Sequence, residues 1–390
     1  MKMRGYVFQI AILLVVLFAA RTVVQAQWAI QNSNTTADLR GIHSVDGKVV
    51  WASGTNGTVL RTVDGGANWQ VCSTPPGAEK LDFRGVQAFD AKTAIVMSSG
   101  KGDLSRLYQT TDGCATWKLV FTNPDEDGFW DAIYETEGKQ VYVLGDPVRG
   151  VFAMFQSEDA GRTWYAAGET GRESAPGEGA FAASNSSLTG YGVFLLFGTG
   201  GISPSHVYGT GVKCSPPPGH PTGPATTDCT VVWSSANVPV GSGGAPSGVF
   251  SLAAKPFTSR NAIQTAIVVA VGGRYDRPDE PGGTAAYSSD GGRTWPAAQT
   301  TPHGYRSAVA YDAETKTWIT VGPNGTDVST DDGRNWSALK PDVARGEVTD
   351  ADRNWNALSL PFVVGPKGRI GRWSQGSGLR AQEANETVMK

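Results

Sequence analysis

Apolar residues form one long run near the N-terminus and many short runs after it. Lys2 and Arg4 precede the long run, Tyr6–Ala20, and Val24-Gln25-Ala26 offers the small residues of a cleavage site. This layout is typical of a secretory signal; an uncleaved anchor is the alternative. No later segment has the ~18 consecutive apolar residues that a membrane span needs. We therefore expect residues 1–26 to be a signal peptide and the remaining chain to be exported without a transmembrane span.

The short apolar runs are separated by glycine-rich turns, and one eight-residue signature recurs at five of them. In each copy an Asp stands five residues before a Trp. The carboxylate can accept backbone N–H groups across a tight hairpin, and the Trp can pin the turn against the next sheet. The signature resembles the Asp-box of sialidases and of many non-enzymatic propellers, so its acids are interpreted as structural. The copies are Thr62–Trp69, Thr110–Trp117, Ser157–Trp164, Ser288–Trp295 and Ser329–Trp336.

The tryptophans of the signature count the repeating units. They are 48, 47 and 41 residues apart where copies follow one another directly. The 131 residues from Trp164 to Trp295 are too many for one unit, and Val231-Val-Trp233 fits the outer strand of a degenerate unit between them. The region between residues 27 and 375 therefore holds seven units of about four strands each.

The two ends of this region complete one another. Gln27–Gln31 resembles an outer strand with no unit before it, whereas the last unit has three strands within residues 354–373 and lacks a fourth. The sequence thus predicts an all-β fold, a seven-bladed β-propeller over residues 27–375, closed by the N-terminal strand. Closure removes the sheet edges that promote aggregation. We expect the polar residues 376–390 to form a flexible tail.

Each predicted innermost strand begins with a quartet whose third residue is small and whose fourth is apolar, as in Leu39-Arg-Gly-Ile42. The second residues of the quartets are therefore expected to be equivalent and to line one funnel. Because side chains alternate along a strand, a register error of one residue would exchange the faces. The expected ring is Arg40, Arg84, Asp131, Glu178, Ser247, Arg306 and Asn356.

The loops between the second and third strands open on the same face as this ring, and the Asp-box hairpins open on the opposite face. These loops add ionic and aromatic side chains to the funnel. The candidates are Lys101, Asp146, Arg149, Arg274 and Tyr275.

The funnel residues permit binding and catalysis. Arg40, Arg84 and Arg306 can hold a carboxylate or sulfate with their guanidinium forks. Asp131 and Glu178 come from adjacent blades and can act as the two carboxyl groups of glycoside hydrolysis.

Two other interpretations stay open. Tyr275 or Tyr305 can serve as a phenolate nucleophile of the sialidase kind. Alternatively, the arginines and carboxylates are mutual partners that only line a water-filled channel.

Composition excludes several classes of function. The 33 basic and 36 acidic residues give no basic surplus for nucleic-acid binding. Four His and four Cys, scattered along the chain, provide no zinc motif, and no Gly-x-Gly-x-x-Gly opens a strand–helix unit. We therefore expect no metal, no nicotinamide or flavin cofactor and no nucleic-acid partner.

The cysteines suggest two disulfides. Cys214 and Cys229 bracket a proline-rich insertion that replaces the fourth Asp-box, and an exported chain favours a bridge between them. Cys72 and Cys114 can form a second bridge between neighbouring blades.

The Asp-boxes, the missing outer strand and the segments Gly177–Ala183, Gly145-Asp-Pro147 and Gly304–Ser307 resemble a family of exported bacterial Asp-box (BNR) propellers. That family is related to photosystem II assembly-factor propellers and, more distantly, to sialidases. Sialidases have six blades and a Phe-Arg-Ile-Pro strand, whereas this chain has Leu39-Arg-Gly-Ile42 and seven units.

The resemblance implies two functions. The first is a monomeric periplasmic or extracellular propeller that binds an acidic glycan with the funnel residues and can hydrolyse it. The alternative is a non-enzymatic assembly or scaffold factor, whose arginine-bearing face binds a carboxylate-bearing segment of a membrane protein.

Overall fold

Seven four-stranded antiparallel sheets form the described part of the chain in the computed structural model. The structure describes residues 27–168, 170–215, 228–241, 243–258 and 264–374. The expected signal peptide and C-terminal tail, and most of the proline-rich insertion, lie outside these ranges. Within them, no helix has the length and apolar character to cross a membrane.

The first three blades are regular meanders, each running from the inner strand to the outer strand. Blade 1 is preceded by the N-terminal strand β1 (Gln27–Gln31). The strands of blades 1 to 3 are β2 (Leu39–Ser44), β3 (Val50–Gly54), β4 (Val59–Thr62), β5 (Gln70–Val71); β6 (Phe83–Ala88), β7 (Ala94–Ser98), β8 (Arg106–Thr110), β9 (Lys118–Thr122); and β10 (Trp130–Glu135), β11 (Val141–Val148), β12 (Val151–Ser157), β13 (Tyr165–Ala166).

Blades 4 and 5 are interleaved, because a short strand from the second loop of blade 4 joins the sheet of blade 5. Blade 4 consists of β14 (Leu188–Tyr191), β15 (Phe194–Gly198), β17 (Ser205–Ser215) and β18 (Asp228–Val238). Blade 5 consists of β16 (Gly200–Gly201), β19 (Gly244–Thr258), β20 (Gln264–Arg274) and β21 (Ala285–Ser288). Strand β18 contains Val231-Val-Trp233, which confirms the predicted outer strand of the degenerate unit.

The last two blades complete the ring. Blade 6 consists of β22 (Ala308–Asp312), β23 (Thr317–Gly322), β24 (Gly325–Ser329) and β25 (Ser337–Leu339). Blade 7 consists of β26 (Ala357–Ser359), β27 (Phe362–Val364), β28 (Ile370–Ser374) and, as its outer strand, β1. The N-terminal strand pairs with β28 from Gln27 opposite Ser374 to Gln31 opposite Ile370, which confirms the predicted closure.

The hydrophobic core is divided into seven clusters, one between each pair of neighbouring blades. The closing cluster packs Leu39, Ile42 and Trp69 of blade 1 against Phe362 and Ile370 of blade 7. Because strands present alternate side chains to the two neighbouring blades, burial on both faces accounts for the continuous apolar runs of the middle strands.

The Asp-boxes form the predicted hairpins. In the first box Asp64 accepts hydrogen bonds from the backbone N–H and the side-chain amide of Asn68, at 2.9 and 2.8 Å. Hydrogen bonding to Asn68 and Thr62 lowers the pKa of Asp64 to about 2. Gly65 and Gly66 adopt positive φ, as the turn requires. The carboxylates therefore stabilise the turns, as the sequence interpretation proposed.

A disulfide links the first two blades. Cys72 follows the outer strand of blade 1, and Cys114 occupies the position of a glycine in the second Asp-box, where it has a positive φ of 69°. Their Cα atoms are 5.5 Å apart. The bridge between neighbouring blades that the sequence left open is therefore present.

Candidate functional site

The strand pairing defines which residues are equivalent at the inner end of the seven blades. In blades 1 to 3, the ladder between the first and second strands has a bulge, which falls at Arg40, Arg84 and Asp131. In each of these blades the next residue resumes the pairing, opposite a residue near the end of the second strand. The same pairing in blade 5 joins Ser251 to Val271, and in blade 6 it joins Ala308 to Val321. The equivalent ring is thus Arg40, Arg84, Asp131, Ser187, Phe250, Ser307 and Asn356.

This ring corrects the predicted one in blades 4, 5 and 6. Glu178, Ser247 and Arg306 precede the equivalent positions by nine, three and one residues. In blade 4 the chain makes an extra excursion before β14 begins at Leu188. In blade 5 the inner strand begins early because it also pairs with β16. These pairings join strands that are distant in sequence, so local sequence patterns could not predict them.

Arg40 and Arg84 meet at one carboxylate, Asp82. The Nε of Arg84 donates to Asp82 Oδ2 at 2.8 Å, and the Nε of Arg40 lies 3.8 Å from Asp82 Oδ1. Both arginine side chains remain 30% exposed. Two guanidinium groups from adjacent blades thus share one acid, and both side chains stay partly accessible. We name Arg40, Asp82 and Arg84 the arginine cluster; the sequence interpretation missed Asp82.

Beside the arginine cluster lie two carboxyl groups, that of Asp131, which is buried, and that of Asp146, which is partly buried. Burial, followed by repulsion from Asp146, raises the pKa of Asp131 well above its ordinary value, and Arg84 opposes this shift. Burial also raises the pKa of Asp146, which accepts a hydrogen bond from the Ala180 N–H at 2.9 Å. Asp131 Oδ2 has no hydrogen-bond partner among the residues that the structure describes. Both raised pKa values favour the neutral carboxylic acids over the charged carboxylates. The net charge of this region is therefore more positive than the count of acidic and basic residues suggests.

Glu178 is committed to a separate network in blade 4. Its carboxylate accepts hydrogen bonds from the Ala175 N–H at 2.8 Å, from the Tyr208 hydroxyl at 3.1 Å and from the Thr199 hydroxyl. The Nδ1 of His206 lies 2.9 Å from the same carboxylate. The carboxylate is buried, so this network anchors the loop before β14.

Arg306 is buried in an ion pair within blade 6. Its Nε donates to Asp327 Oδ2 at 2.7 Å, and its Nη2 contacts the same oxygen. Its Nη1 donates to the Asn324 side chain and the Tyr305 carbonyl, and Nη2 lies 2.9 Å from His303 Nδ1. With all of its nitrogens engaged and its side chain fully buried, Arg306 stabilises the blade and offers no donor to a funnel ligand.

The other loop candidates lie around the mouth, mostly in local ion pairs. Lys101 pairs with Asp127 at 2.8 Å, and Arg274 pairs with Asp276 at 2.8 Å. Arg149 is 84% exposed and lies 3.6 Å from Asp125. These pairs are local and do not join the arginine cluster in a single constellation.

The segment of residues 181–187 crosses the axis of the ring and closes it, and we name it the plug. Ala182 O accepts a hydrogen bond from Arg84 of blade 2 at 3.1 Å, and the Asn185 side chain accepts one from the Ile133 N–H of blade 3. On the other side, Ser184 Oγ donates to Ser307 O of blade 6 at 2.7 Å. The funnel therefore has a floor formed by this chain, in place of the water-filled channel that the sequence left as an alternative. The small and polar run Ala182-Ala-Ser-Asn-Ser-Ser187 is the sequence signal that could have revealed it.

Four aromatic rings form the other half of the funnel floor. Phe181 of the plug stacks on Phe250 with ring centroids 3.7 Å apart. Tyr305 and Tyr275 approach Phe250 edge-on at 4.8 and 6.0 Å. Burial raises the pKa of Tyr305, which disfavours a phenolate there. We name these four residues the aromatic cluster.

No described group of three or more His, Cys, Asp or Glu side chains is arranged to hold a metal ion. The funnel thus combines an arginine cluster on blades 1 and 2 with an aromatic cluster on blades 5 and 6. That arrangement is suited to binding a ligand with an acidic and an apolar part.

The family of the photosynthesis system II assembly factor YCF48 matches residues 20–192. The chain is an Asp-box propeller that is similar to photosystem II assembly-factor propellers. No curated protein matches it significantly. Among solved structures, the present chain is similar to YCF48 bound to D1 peptide, with 16% identity, a TM-score of 0.52, and 90% of this chain and 97% of that chain covered.

A second similar structure is YCF48 from Cyanidioschyzon merolae. It is 15% identical, with a TM-score of 0.50, and the match covers 89% of the present chain and 99% of that chain. At these identities the two structures support the fold, and the role of the funnel residues in the present chain rests on their own geometry.

Proposed function

We propose that this chain is a non-enzymatic assembly factor whose arginine cluster binds an acidic segment of a membrane-protein partner. The observation that carries the proposal is the sharing of Asp82 by Arg40 and Arg84. Two partly exposed guanidinium groups with one carboxylate between them favour a further carboxylate from a ligand.

One of the similar structures, YCF48 bound to D1 peptide, supports a protein segment as the ligand class. An exposed arginine pair on a rigid, closed ring is suited to this role, since the guanidinium forks are positioned before the ligand arrives.

The positions of the two candidate catalytic acids favour binding over hydrolysis. Glu178 is occupied by four hydrogen-bonding groups of its own chain. Asp131 is fully buried beside Asp146. An acid that protonates a glycosidic oxygen needs access to it, so glycan hydrolysis has no support from this geometry.

We further propose that the encounter takes place outside the cytoplasm. The Cys72–Cys114 disulfide supports this, since such bridges persist in oxidising compartments. The signal-like residues 1–26 point the same way but lie outside the described residues.

Peptide binding tests the proposal. The probe is a fluorescein-labelled eight-residue peptide with three Glu and a free C-terminal carboxylate, compared with its Gln and C-terminal amide counterpart. We expect Arg40→Gln/Arg84→Gln to weaken binding of the acidic peptide about tenfold or more, which corresponds to about 1.4 kcal/mol. The charge-matched control Lys101→Gln/Arg149→Gln removes two exposed positive charges elsewhere on the same face and should change affinity much less.

Equal binding by the double variant and the wild type would overturn the proposal, as would equal loss in the control, because the effect would then be net charge alone. Release of reducing sugar from an acidic glycan by the wild type, abolished in Glu178→Gln, would instead favour the hydrolase.

A further inference from the structure

The aromatic cluster exposes one ring at the surface. Phe250 and Tyr305 are buried, and Phe181 is partly buried between the plug and blade 5. Tyr275, on the loop after β20, is 54% exposed although it packs against Phe250. The ring is thus held by one contact inside the protein while more than half of the side chain stays accessible, so a side chain from a partner can pack on it with little loss of entropy.

The aromatic and arginine clusters border the same floor. Phe181 stacks on Phe250, and the next residue, Ala182, accepts a hydrogen bond from Arg84 at 3.1 Å. The plug therefore links the two clusters through one peptide unit. Glycines leave the space that the Phe181 ring occupies, because a Cβ at Gly200 would lie 2.7 Å from Phe181 Cε2 and 2.6 Å from Gly248 Cα.

Among the equivalent residues at the inner ends of the seven blades, that of blade 5 is the one apolar residue. Blades 1 to 3 place ionisable side chains there, whereas blade 5 places Phe250. The accessible groups are therefore the two arginines on one side and Tyr275, which packs against Phe250, on the other. A ligand that satisfied only the arginine cluster would leave the Tyr275 ring in water.

We propose that the funnel recognises two features of its partner segment, an acidic group at Arg40 and Arg84 and an aromatic or large apolar side chain packed on Tyr275. This inference rests on the proposed function and adds the determinant of specificity. The occupant is an extended protein segment, because charge complementarity requires the acid and the plug excludes threading of the segment through the ring. An acidic oligosaccharide, which can also stack on a tyrosine, is an outcome that the test separates.

Four labelled peptides test the inference: Glu with Trp, Glu with Ala, Gln with Trp, and Gln with Ala. Each is made with spacers of about two to five residues between the two positions, so that a range of separations is sampled at about 3.5 Å per extended residue. Wild type, Tyr275→Ser, Arg40→Gln/Arg84→Gln and a control, Tyr165→Ser, are titrated with each. Tyr165 is 43% exposed on β13, an outer strand away from the funnel. Thermal midpoints verify that the variants are folded.

We expect Tyr275→Ser to weaken the Glu–Trp peptide about three- to tenfold, the range of an aromatic pair, and to leave the Glu–Ala peptide unchanged. The arginine double variant should weaken both Glu peptides, and Tyr165→Ser neither. Equal loss for Trp and Ala peptides in Tyr275→Ser, or no loss, overturns the inference while the proposed function stands.

If no Glu peptide binds the wild type, the proposed function fails as well. Competition of sialyllactose with the bound peptide, together with loss of sialyllactose binding in Tyr275→Ser, would replace the protein segment by a glycan and also overturn the inference.

Discussion

Trp28 and Trp373 are direct partners across the seam between β1 and β28, with their ring centroids 4.8 Å apart and the ring planes at 62°. Trp28 also packs on Trp355, and its Nε1 donates to Thr326 Oγ1 of blade 6 at 3.2 Å. The first strand of the chain is therefore held by both of the last two blades.

Truncation of Trp28 should open this seam. We expect Trp28→Ala to lower the free energy of unfolding by about 3–5 kcal/mol, the usual cost of removing a buried aromatic ring. Urea denaturation measures this difference. Ile30→Ala, on the same strand with a 41% exposed side chain, is the matched control and should cost much less. Similar losses for both variants would mean that the Trp28 ring is not what holds the strand.

His43 should make stability depend on pH. It is partly buried between blades 1 and 2 and accepts the Ala88 N–H at 3.0 Å through Nδ1, and desolvation lowers its pKa from 6.5 to about 4. As the pH falls, the unfolded chain binds the proton of this histidine before the folded protein does. The stabilising contribution of neutral His43 is therefore complete above pH 6.5, and the free energy of unfolding falls by about 1.4 kcal/mol per pH unit as the pH falls towards 4. His43→Asn keeps an acceptor that does not titrate, so its stability curve should be flatter by this slope. The free energy of unfolding is measured by urea denaturation at each pH, and plots of it against pH that run parallel for the two proteins would contradict the prediction.

Asp131 should act in the opposite direction. Its pKa is raised in the folded protein, so the folded state holds the proton longer and stability falls as the pH rises from the ordinary carboxyl pKa through the raised one. Asp131→Asn removes this loss, at about 1.4 kcal/mol for each unit of the shift. We expect the variant to exceed the wild type in thermal midpoint at about pH 7 and to approach it near the ordinary carboxyl pKa of about 4. Asp103→Asn, which alters an exposed acid, is the control; a variant less stable than the wild type at every pH would refute the assignment.

Cys214 and Cys229 should form a second disulfide. They are directly opposite in the β17–β18 ladder, and opposed residues of antiparallel strands lie within the Cα separation that a bridge requires. Peptide mapping without reductant should recover two cross-linked pairs, Cys72 with Cys114 and Cys214 with Cys229. Reduction should lower stability by about 3–4 kcal/mol for the loop of 42 residues between Cys72 and Cys114. Alkylation of Cys214 and Cys229 in the unreduced protein would exclude the second bridge.

Local chemistry made the architecture predictable. Each Asp-box turn is closed by hydrogen bonds within five residues, as between Asp64 and Asn68, so its sequence alone specifies it. The seven-bladed count and the closure by Gln27–Gln31 followed from the regular spacing of these turns and from the unmatched strands at the two ends. In the first three blades Arg40, Arg84 and Asp131 also occupy the expected equivalent positions.

Tertiary structure decided which of these side chains form a site. Arg306 and Ser307 are neighbours in sequence, yet the pairing of Ala308 with Val321 places Ser307 in the ring and leaves Arg306 buried on Asp327. The plug likewise depends on contacts such as that between Ser184 and Ser307, 123 residues apart. A turn is determined by adjacent residues, whereas the partner of a charged side chain is determined by strand register and long-range packing, which no local pattern contains.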